Sequence, residues 1–379
     1  MTTPTLLVTG DFVKTGGMDR ANYALADHLS KSGREVHLVA FRAGSELLAR
    51  PNVTFHRVPK PLGSYTLGSP LLDQRGRFWA RRFKGRVVVN GGNCRWGDVN
   101  WVHHLNRLDT PKPGGGVWRR FKTRLDYKLH VAAERAALAK ARLIVTTCER
   151  NKLDLHRHFD KPLDQIVTIY YGTDPGVFHP ATLDERLELR ERFGWPFDRP
   201  VYAFVGALSD RRKGFDTLFA AWCRLCRRTD WNADLIVVGT GAELPFWKAK
   251  AESEGLSDRF RFLGFRRDVP DLFRACDAHV LPSRYEGYSL VTQEALCCGL
   301  PAFVTDVAGI AERYPQALAE ALLIPDPDNA EALADRLLAW QRVAETLRPD
   351  LDCLSEQLRS QTWDQMAERF ASILDAPSA

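Results

Sequence analysis

Short apolar runs alternate with longer amphipathic stretches along almost the whole chain. In the first half, the runs at 5–9, 35–41, 53–58, 86–90, 99–102 and 143–147 read as strands buried on both faces. Between them, 18–32, 70–84, 117–141 and 149–159 carry the longer period of helices. Residues 10–17 form the loop from the first strand to the first helix, which Gly33 ends. Strand, helix and strand in that order open a parallel sheet. Around 166–169 the pattern changes, and the turn-rich Tyr170-Tyr171-Gly172-Thr173-Asp174-Pro175-Gly176 predicts a linker. A second series follows, with strands predicted at 201–205, 235–238, 260–263, 279–281, 302–305 and 321–324. Helices at 215–228, 243–254, 269–275 and 290–298 fill its gaps, and 362–374 is a final amphipathic helix. The pattern predicts the α/β class, with two doubly wound domains and a cleft between them. Ligands in such sheets sit at the carboxyl ends of the strands.

Composition agrees with this picture and adds an asymmetry. The 379 residues exceed what one core usually organises. A hydrophobic share of 45% and a charged share of 26% are those of a globular protein. No apolar run approaches the roughly 20 residues needed to span a bilayer. The start, Met1-Thr2-Thr3-Pro4-Thr5, lacks the basic opening of a secretory leader. Cys223 and Cys226 form a lone Cys-x-x-Cys within a predicted helix, and no second pair accompanies them. They read as packing residues rather than a zinc or redox pair. Reduced thiols and a cytoplasmic protein are expected. The net charge of +6 is uneven: residues 1–175 hold 29 basic and 15 acidic side chains, and the remainder holds 24 and 32. The first half is therefore expected to meet something anionic.

The candidate chemistry gathers at predicted strand ends in the second half. Val205-Gly206 leads to Asp210-Arg211-Arg212-Lys213-Gly214, and Val238-Gly239-Thr240-Gly241 and Leu263-Gly264-Phe265 follow two further strands. Glycines there let backbone approach a ligand closely. Arg212 and Lys213 suit a diphosphate, one as a planar fork and the other as a point charge. The stretch Glu286-Gly287-Tyr288-Ser289-Leu290-Val291-Thr292-Gln293-Glu294 runs from a loop into a helix. Amides at such a helix start favour an anion, and Glu286 and Glu294 can accept hydrogen bonds from sugar hydroxyls. The place suits a molecule that is part phosphate and part sugar.

These segments, in this order, resemble the retaining GT-B glycosyltransferases of family 4. The resemblance rests on Val205-Gly206, Arg212-Lys213-Gly214-Phe215-Asp216, Val238-Gly239-Thr240-Gly241 and Phe262-Leu263-Gly264-Phe265. It continues through Val280-Leu281-Pro282-Ser283, Glu286-Gly287-Tyr288-Ser289-Leu290, Glu294-Ala295 and Cys298-Gly299-Leu300-Pro301. In the first half it is looser, through Gly16-Gly17 and Gly33-Arg34-Glu35-Val36. Gly172-Thr173-Asp174 to Phe178-His179-Pro180 resembles the family's interdomain segment, and Thr362-Trp363 the start of its last helix. The resemblance implies two Rossmann-like domains facing a central cleft. Residues 1–175 would bind the acceptor, 176–355 the nucleotide sugar, and 356–379 would cross back to the first domain. Glu294 would accept from ribose, Glu286 would sit near the transferred sugar, and amides around Tyr288, Ser289 and Leu290 would face phosphate or sugar oxygens. Gly264 and Phe265 would lie near the base, while Gly206 and Gly239 belong to the donor loops. Gly16 and Gly17 would let the first domain approach the donor phosphate. His103, rather than its neighbour His104, would face donor sugar and acceptor.

The implied reaction retains anomeric configuration and needs no cofactor. Fixed cations and amides can stabilise a departing nucleoside diphosphate without a metal. UDP is the favoured donor nucleotide, and the acceptor is a glycan, lipid-linked or small-molecule hydroxyl, with an anionic one suggested by the charge. Asp326-Pro327-Asp328 reads as a loop and not as a metal pair. The chain departs from the family at Ala207, at Tyr170-Tyr171, at Tyr288-Ser289 and at Ala308, and Tyr288-Ser289 would bring two hydroxyls to the sugar. Two basic stretches interleaved with aromatics, 75–86 and 117–128, suit peripheral contact with the anionic inner face of a membrane. No nucleic-acid motif accompanies them. The competing readings are a nucleotide-sugar-binding protein without transfer and a nucleotide-sugar epimerase on the same scaffold.

Overall fold

The computed structural model describes residues 3–110, 117–209 and 211–376. Asp210 of the cation-rich loop, and the side chains of 117–120 in the second basic stretch, lie outside the described residues. The chain divides into two compact units: Met1–Gly172 together with Gln361–Ala379, and Thr173–Ser360.

The first unit holds β1 (Thr5–Val8), β2 (Asp11–Phe12), β3 (Val36–Ala40), β4 (Arg42–Ala43), β5 (Val53–Arg57), β6 (Arg86–Asn90), β7 (Val99–Val102), β8 (Leu143–Thr146) and β9 (Ile166–Thr168). Its helices are α1 (Gly17–Lys31), α2 (Ser45–Leu48), α3 (Tyr65–Ala80), α4 (Val117–Lys140) and α5 (Glu149–Phe159). Seven strands pair in the order β5-β3-β1-β6-β7-β8-β9, and β2 pairs with β4 just after β1 and β3 in the chain. Every pairing is parallel, with Leu7 opposite both Leu38 and Val88. Such strands are covered on both faces, which is why β1 and β7 are buried along their full length. The order reverses between β1 and β6, so the crevice at their carboxyl ends is the natural ligand position.

Two predicted elements are corrected in this unit. Residues 10–17 contain the short β2 rather than loop alone. Helix α3 starts at Tyr65, not at 70, because Ser64 caps it and Pro70 falls inside. The missing proline N–H removes one helical bond, and the helix tolerates it near its start.

The second unit holds β10 (Val201–Val205), β11 (Asp234–Val238), β12 (Phe260–Gly264), β13 (Ala278–Leu281), β14 (Ala302–Thr305) and β15 (Leu323–Ile324), in the order β12-β11-β10-β13-β14-β15. Its helices are α6 (Leu183–Phe193), α7 (Phe215–Cys226), α8 (Leu244–Ser253), α9 (Val269–Ala275), α10 (Leu290–Cys297), α11 (Gln316–Leu322), α12 (Ala330–Val343) and α13 (Arg348–Arg359). All its pairings are again parallel, and the order reverses between β10 and β13. The strand predicted at 321–324 shrinks to two residues because Ala321 and Leu322 end α11, whose apolar face buries Leu318 and Leu322. The last helix, α14 (Trp363–Asp375), belongs to the first unit. Thr362 and Gln365 form a capping box at its start, and its Phe370 packs on Trp101 of β7 with ring centroids 4.7 Å apart.

Candidate active site

In the second unit the loops after β10, β11, β12 and β13 lock onto one another. Gly239 has φ of 142°, and a Cβ there would lie 1.9 Å from the Gly206 carbonyl oxygen. Its N–H donates to Gly264 O at 2.8 Å. Gly214, at φ of 70°, would place a Cβ 1.8 Å from Pro282 O. The sequence assigned such glycines to close approach by a ligand. The structure shows backbone approaching backbone at both positions, and this contact fixes the cation-bearing loop against the carboxylate-bearing one.

The result is a compact charged cluster. Arg212 Nη1 donates to Glu286 Oε1 at 3.2 Å, and Lys213 Nζ donates to the same oxygen. Ser283 Oγ adds a third bond to it at 3.3 Å. Arg212 Nη1 also reaches Tyr285 O at 3.2 Å. Glu286 is nearly buried, and its backbone forms a parallel bridge with Ala308. Two cations, Arg212 and Lys213, therefore share the single carboxylate of Glu286 at the β10/β13 crevice. His279 of β13 lies beneath, and burial holds its imidazole down to about 3, so it adds no charge.

Arg284 organises this cluster without having been singled out by sequence. Its backbone N–H donates to Arg212 O at 2.8 Å, and its guanidinium donates to Arg211 O and Thr217 Oγ1. It also pairs with Asp216 at 2.8 Å and Asp328 at 2.6 Å. Arg211 itself has φ of 58°, a rare conformation for a residue other than glycine, and its carbonyl is held by Arg284. Asp328 N–H bonds to Asp326 Oδ1 at 2.9 Å, so these two aspartates form a turn whose second carboxylate serves Arg284.

Helix α10 begins directly after the Glu286 loop. Ser289 is its N-cap with φ of 81°, and its side chain does not cap the helix but shares a bond with Thr292 Oγ1 at 2.8 Å. Leu290 and Glu294 stand one turn apart on the same side of α10, both half-buried. Tyr288 is buried, and its hydroxyl donates to Gln293 Oε1 at 2.5 Å. The hydroxyls expected to reach a sugar thus make internal bonds, because a buried phenol needs a partner of its own. Phe265 is exposed beyond Gly264, at the outer end of the same row of loops.

The first unit has its own site at the reversal of strand order. A cavity of about 330 Å3 is lined by Gly10 after β1, Asn90 at the end of β6, His103 after β7, and Asp19, Trp101 and His130. No lysine or arginine is among its described lining residues. His103 is buried, and its Nδ1 lies 2.6 Å from Tyr171 Oη. Its Nε2 has no hydrogen-bond partner among the described residues. Burial holds the imidazole down to about 3, so it is neutral. In the tautomer in which the phenol donates to Nδ1, Nε2 carries the proton and is a donor. His104 also lines the cavity but is less buried and pairs with Asp109 at 3.2 Å.

Gly16 and Gly17 open α1 beside this cavity, and Gly16 has φ of 84°. Two carboxylates that sequence reasoning missed stand nearby. Burial, with the charge of Asp11 adding, raises the Asp19 carboxyl to about 6. Burial also pushes Asp11 up, but bonds from Arg42 at 2.6 Å and Tyr65 at 2.6 Å outweigh it and hold it low. Glu134 of α4 is buried and accepts from Asn106 N at 2.8 Å and Arg107 N at 3.2 Å, which fixes the loop carrying His103. The only available signal for Asp19 was an acid in the first turn after the paired glycines.

Two parallel-sheet units of this kind, each with a site where its strand order reverses, define the GT-B fold class. Comparison with known proteins places the chain more narrowly. A model described as Glycosyl transferases group 1 matches residues 199–341, and one described as Glycosyltransferase Family 4 matches residues 15–177. The chain belongs to this glycosyltransferase family. It is 33% identical over 178 residues to the lipopolysaccharide core biosynthesis mannosyltransferase LpsB of Rhizobium meliloti, covering 45% of this chain and 49% of that protein. The chain spans about half to three fifths of the length of the curated relatives it matches first. Among solved structures it is similar to WaaG, a glycosyltransferase involved in lipopolysaccharide biosynthesis (TM-score 0.77, 20% identity, 98% of this chain and 100% of that one). It is also similar to HepE of Anabaena in complex with UDP-glucose (TM-score 0.72, 18% identity, 98% and 99%).

Proposed function

We propose that the chain is a retaining glycosyltransferase that takes a sugar from a nucleoside diphosphate donor held by the second unit. The observation that carries this reading is the Arg212–Lys213–Glu286 cluster at the β10/β13 crevice, beside the start of α10. Two clustered cations beside helix-start amides suit a diphosphate. Glu294, one turn into α10, is the ribose acceptor group in this reading, and Glu286 both holds the cations and borders the sugar. UDP is the favoured nucleotide, and the similarity to a UDP-glucose complex supports that choice.

In the reaction, the bond from the anomeric carbon to the diphosphate oxygen breaks, and the acceptor oxygen attaches to the same face of that carbon. The acceptor's proton passes to the leaving phosphate. Arg212 and Lys213 stabilise the departing charge, and no resident metal is required. The first-unit cavity takes the acceptor. Its lining offers a neutral imidazole and a carboxylate but, among the described residues, no lysine or arginine, which favours a hydroxyl-bearing segment over a phosphorylated one. Turnover of UDP-sugars with a panel of polyol and glycan acceptors tests this. A glycosylated product with the donor's anomeric configuration is expected. Donor binding with no product for any acceptor would leave a binding protein, and release of an epimerised sugar nucleotide would make it an epimerase.

The proposal places the protein in the cytoplasm with peripheral membrane contact. Among the described residues no helix is long and apolar enough to cross a membrane. Helix α4 exposes Phe121, Leu125 and Leu129 at helical spacing, interleaved with Lys122, Arg124 and Lys128. Such a face suits an anionic interface. Flotation with phosphatidylglycerol vesicles should carry the protein, and Phe121→Ser with Leu125→Ser should stop it; unchanged flotation of that variant would contradict the assignment.

A further inference from the structure

The basic surplus of the first half does not line its acceptor cavity. Much of it converges at the opposite end of the same sheet. There a cavity of about 870 Å3 is lined by Arg77 of α3, Arg81 at its C-cap, Lys84, Arg86 of β6, Arg95, and Lys140 of α4. Phe83 and Trp96 add aromatic walls, and Asp98 is its one acidic lining residue among those described. Arg86 and Asn90 are the two ends of β6, about 13 Å apart at a strand rise of about 3.3 Å per residue. The two cavities therefore lie at opposite ends of the strands.

Ion pairing inside the fold accounts for only part of this charge. Asp73 takes Arg95 at 2.6 Å and Arg77 at 3.1 Å, and Asp98 takes Arg142 at 3.1 Å and Arg86 at 3.7 Å. Arg81, Lys84 and Lys140 have no acidic partner among the described residues. The macrodipoles of α3 and α4 favour cations at their last turns, which explains Arg77, Arg81 and Lys140. They do not explain Lys84, Arg86 and Arg95, which come from a loop and a strand start. The backbone that presents these is fixed: Arg86 N–H donates to Pro4 O at 3.0 Å, and Val87 N–H to Asp98 Oδ2 at 2.8 Å. Like charges held together on a rigid frame repel one another until an anion joins them.

We infer that this cavity binds a ligand with clustered phosphate groups, at a site separate from those for donor and acceptor. Arg81, Lys84 and Lys140 supply the unpaired cations, Arg86 and Arg95 add shared ones, and Trp96 borders any organic part. The phosphates come from a soluble polyphosphorylated molecule or from lipid headgroups, and the same chemistry serves either.

The test compares wild type with the double variant Arg81→Glu, Lys84→Glu, so that any binding at Arg212 and Lys213 cancels. Tripolyphosphate and phosphatidylglycerol vesicles are the two probes, each titrated at low and moderate salt. Both substituted side chains are exposed, and Arg81→Gln, Lys84→Gln guards against misfolding from charge reversal. Tripolyphosphate binding weakened about tenfold or more in the variants, and weakened by salt in wild type, supports a soluble ligand. Vesicle binding weakened about tenfold or more in both charge variants, with tripolyphosphate binding the same as in wild type, supports a headgroup. Equal binding of both probes by wild type and variants, or binding of neither by wild type at low salt, overturns the inference.

Discussion

The two crevices differ in charge although they arise from the same topology. At β10/β13, two cations and a carboxylate share one oxygen and are clamped by Arg284. At β1/β6, a neutral buried imidazole and a half-buried carboxylate face a cavity without lysine or arginine among its described lining residues. The overall charge of each half points the other way, since the basic surplus lies in the first half. Local charge at the strand ends, rather than the charge of the unit, is therefore the guide to the ligand. In the proposed reading a diphosphate occupies the second unit and a hydroxyl-bearing acceptor the first.

The sharpest way to break this comparison is Lys213→Ala. It removes one of two cations and leaves Glu286 with less charge compensation, so transfer should fall by about 10²–10³ in steady-state rate. A smaller loss would mean that Arg212 alone carries the diphosphate. His103→Ala should cost roughly tenfold to a hundredfold in transfer, seen mainly in acceptor KM and kcat rather than donor affinity. Arg284→Ala should lower stability by about 2 kcal/mol by freeing Asp216 and the Arg211 carbonyl, with donor KM raised; thermal unfolding and initial rates check the two parts.

The smallest effect sharpens the first-unit site through pH. The Asp19 carboxyl is raised from its ordinary 3.8 to about 6, so the folded state holds its proton more tightly than the unfolded chain does. Its stabilising contribution is complete below about 4 and is lost as pH rises through about 6. Asp19→Asn should therefore be more stable than wild type at pH 7.5 by roughly 1–2 kcal/mol after solvent screening, and nearly equal at pH 4. Equal melting shifts at both values would show that burial does not raise this carboxyl.

Strand positions were legible because parallel strands buried on both faces leave dense apolar runs; those at 86–90, 99–102, 201–205 and 302–305 agree to the residue. Helix limits were less so. Pro70 looked like a start, while the true signal was Ser64 capping a weakly amphipathic α3. The helices α6, α12 and α13 were not singled out, since they lie between motifs and carry mixed charge. At the sites, residue types were legible and partners were not. Lys213 and Glu286 are 73 positions apart, and their loops are brought together by the contact of Gly214 with Pro282 and by the bonds of Arg284 to Arg211 O and Arg212 O. Tyr288 looked like a free hydroxyl until Gln293 was seen to take it. Asp19 and Arg284 were hidden because their roles depend on burial and on carbonyls that no sequence spacing reveals.

The most direct measurement is calorimetric binding of UDP to wild type, Lys213→Ala and His103→Ala. The charge comparison predicts that Lys213→Ala weakens UDP binding about tenfold or more while His103→Ala leaves it within about twofold. Retained binding in Lys213→Ala together with its loss in His103→Ala would contradict it.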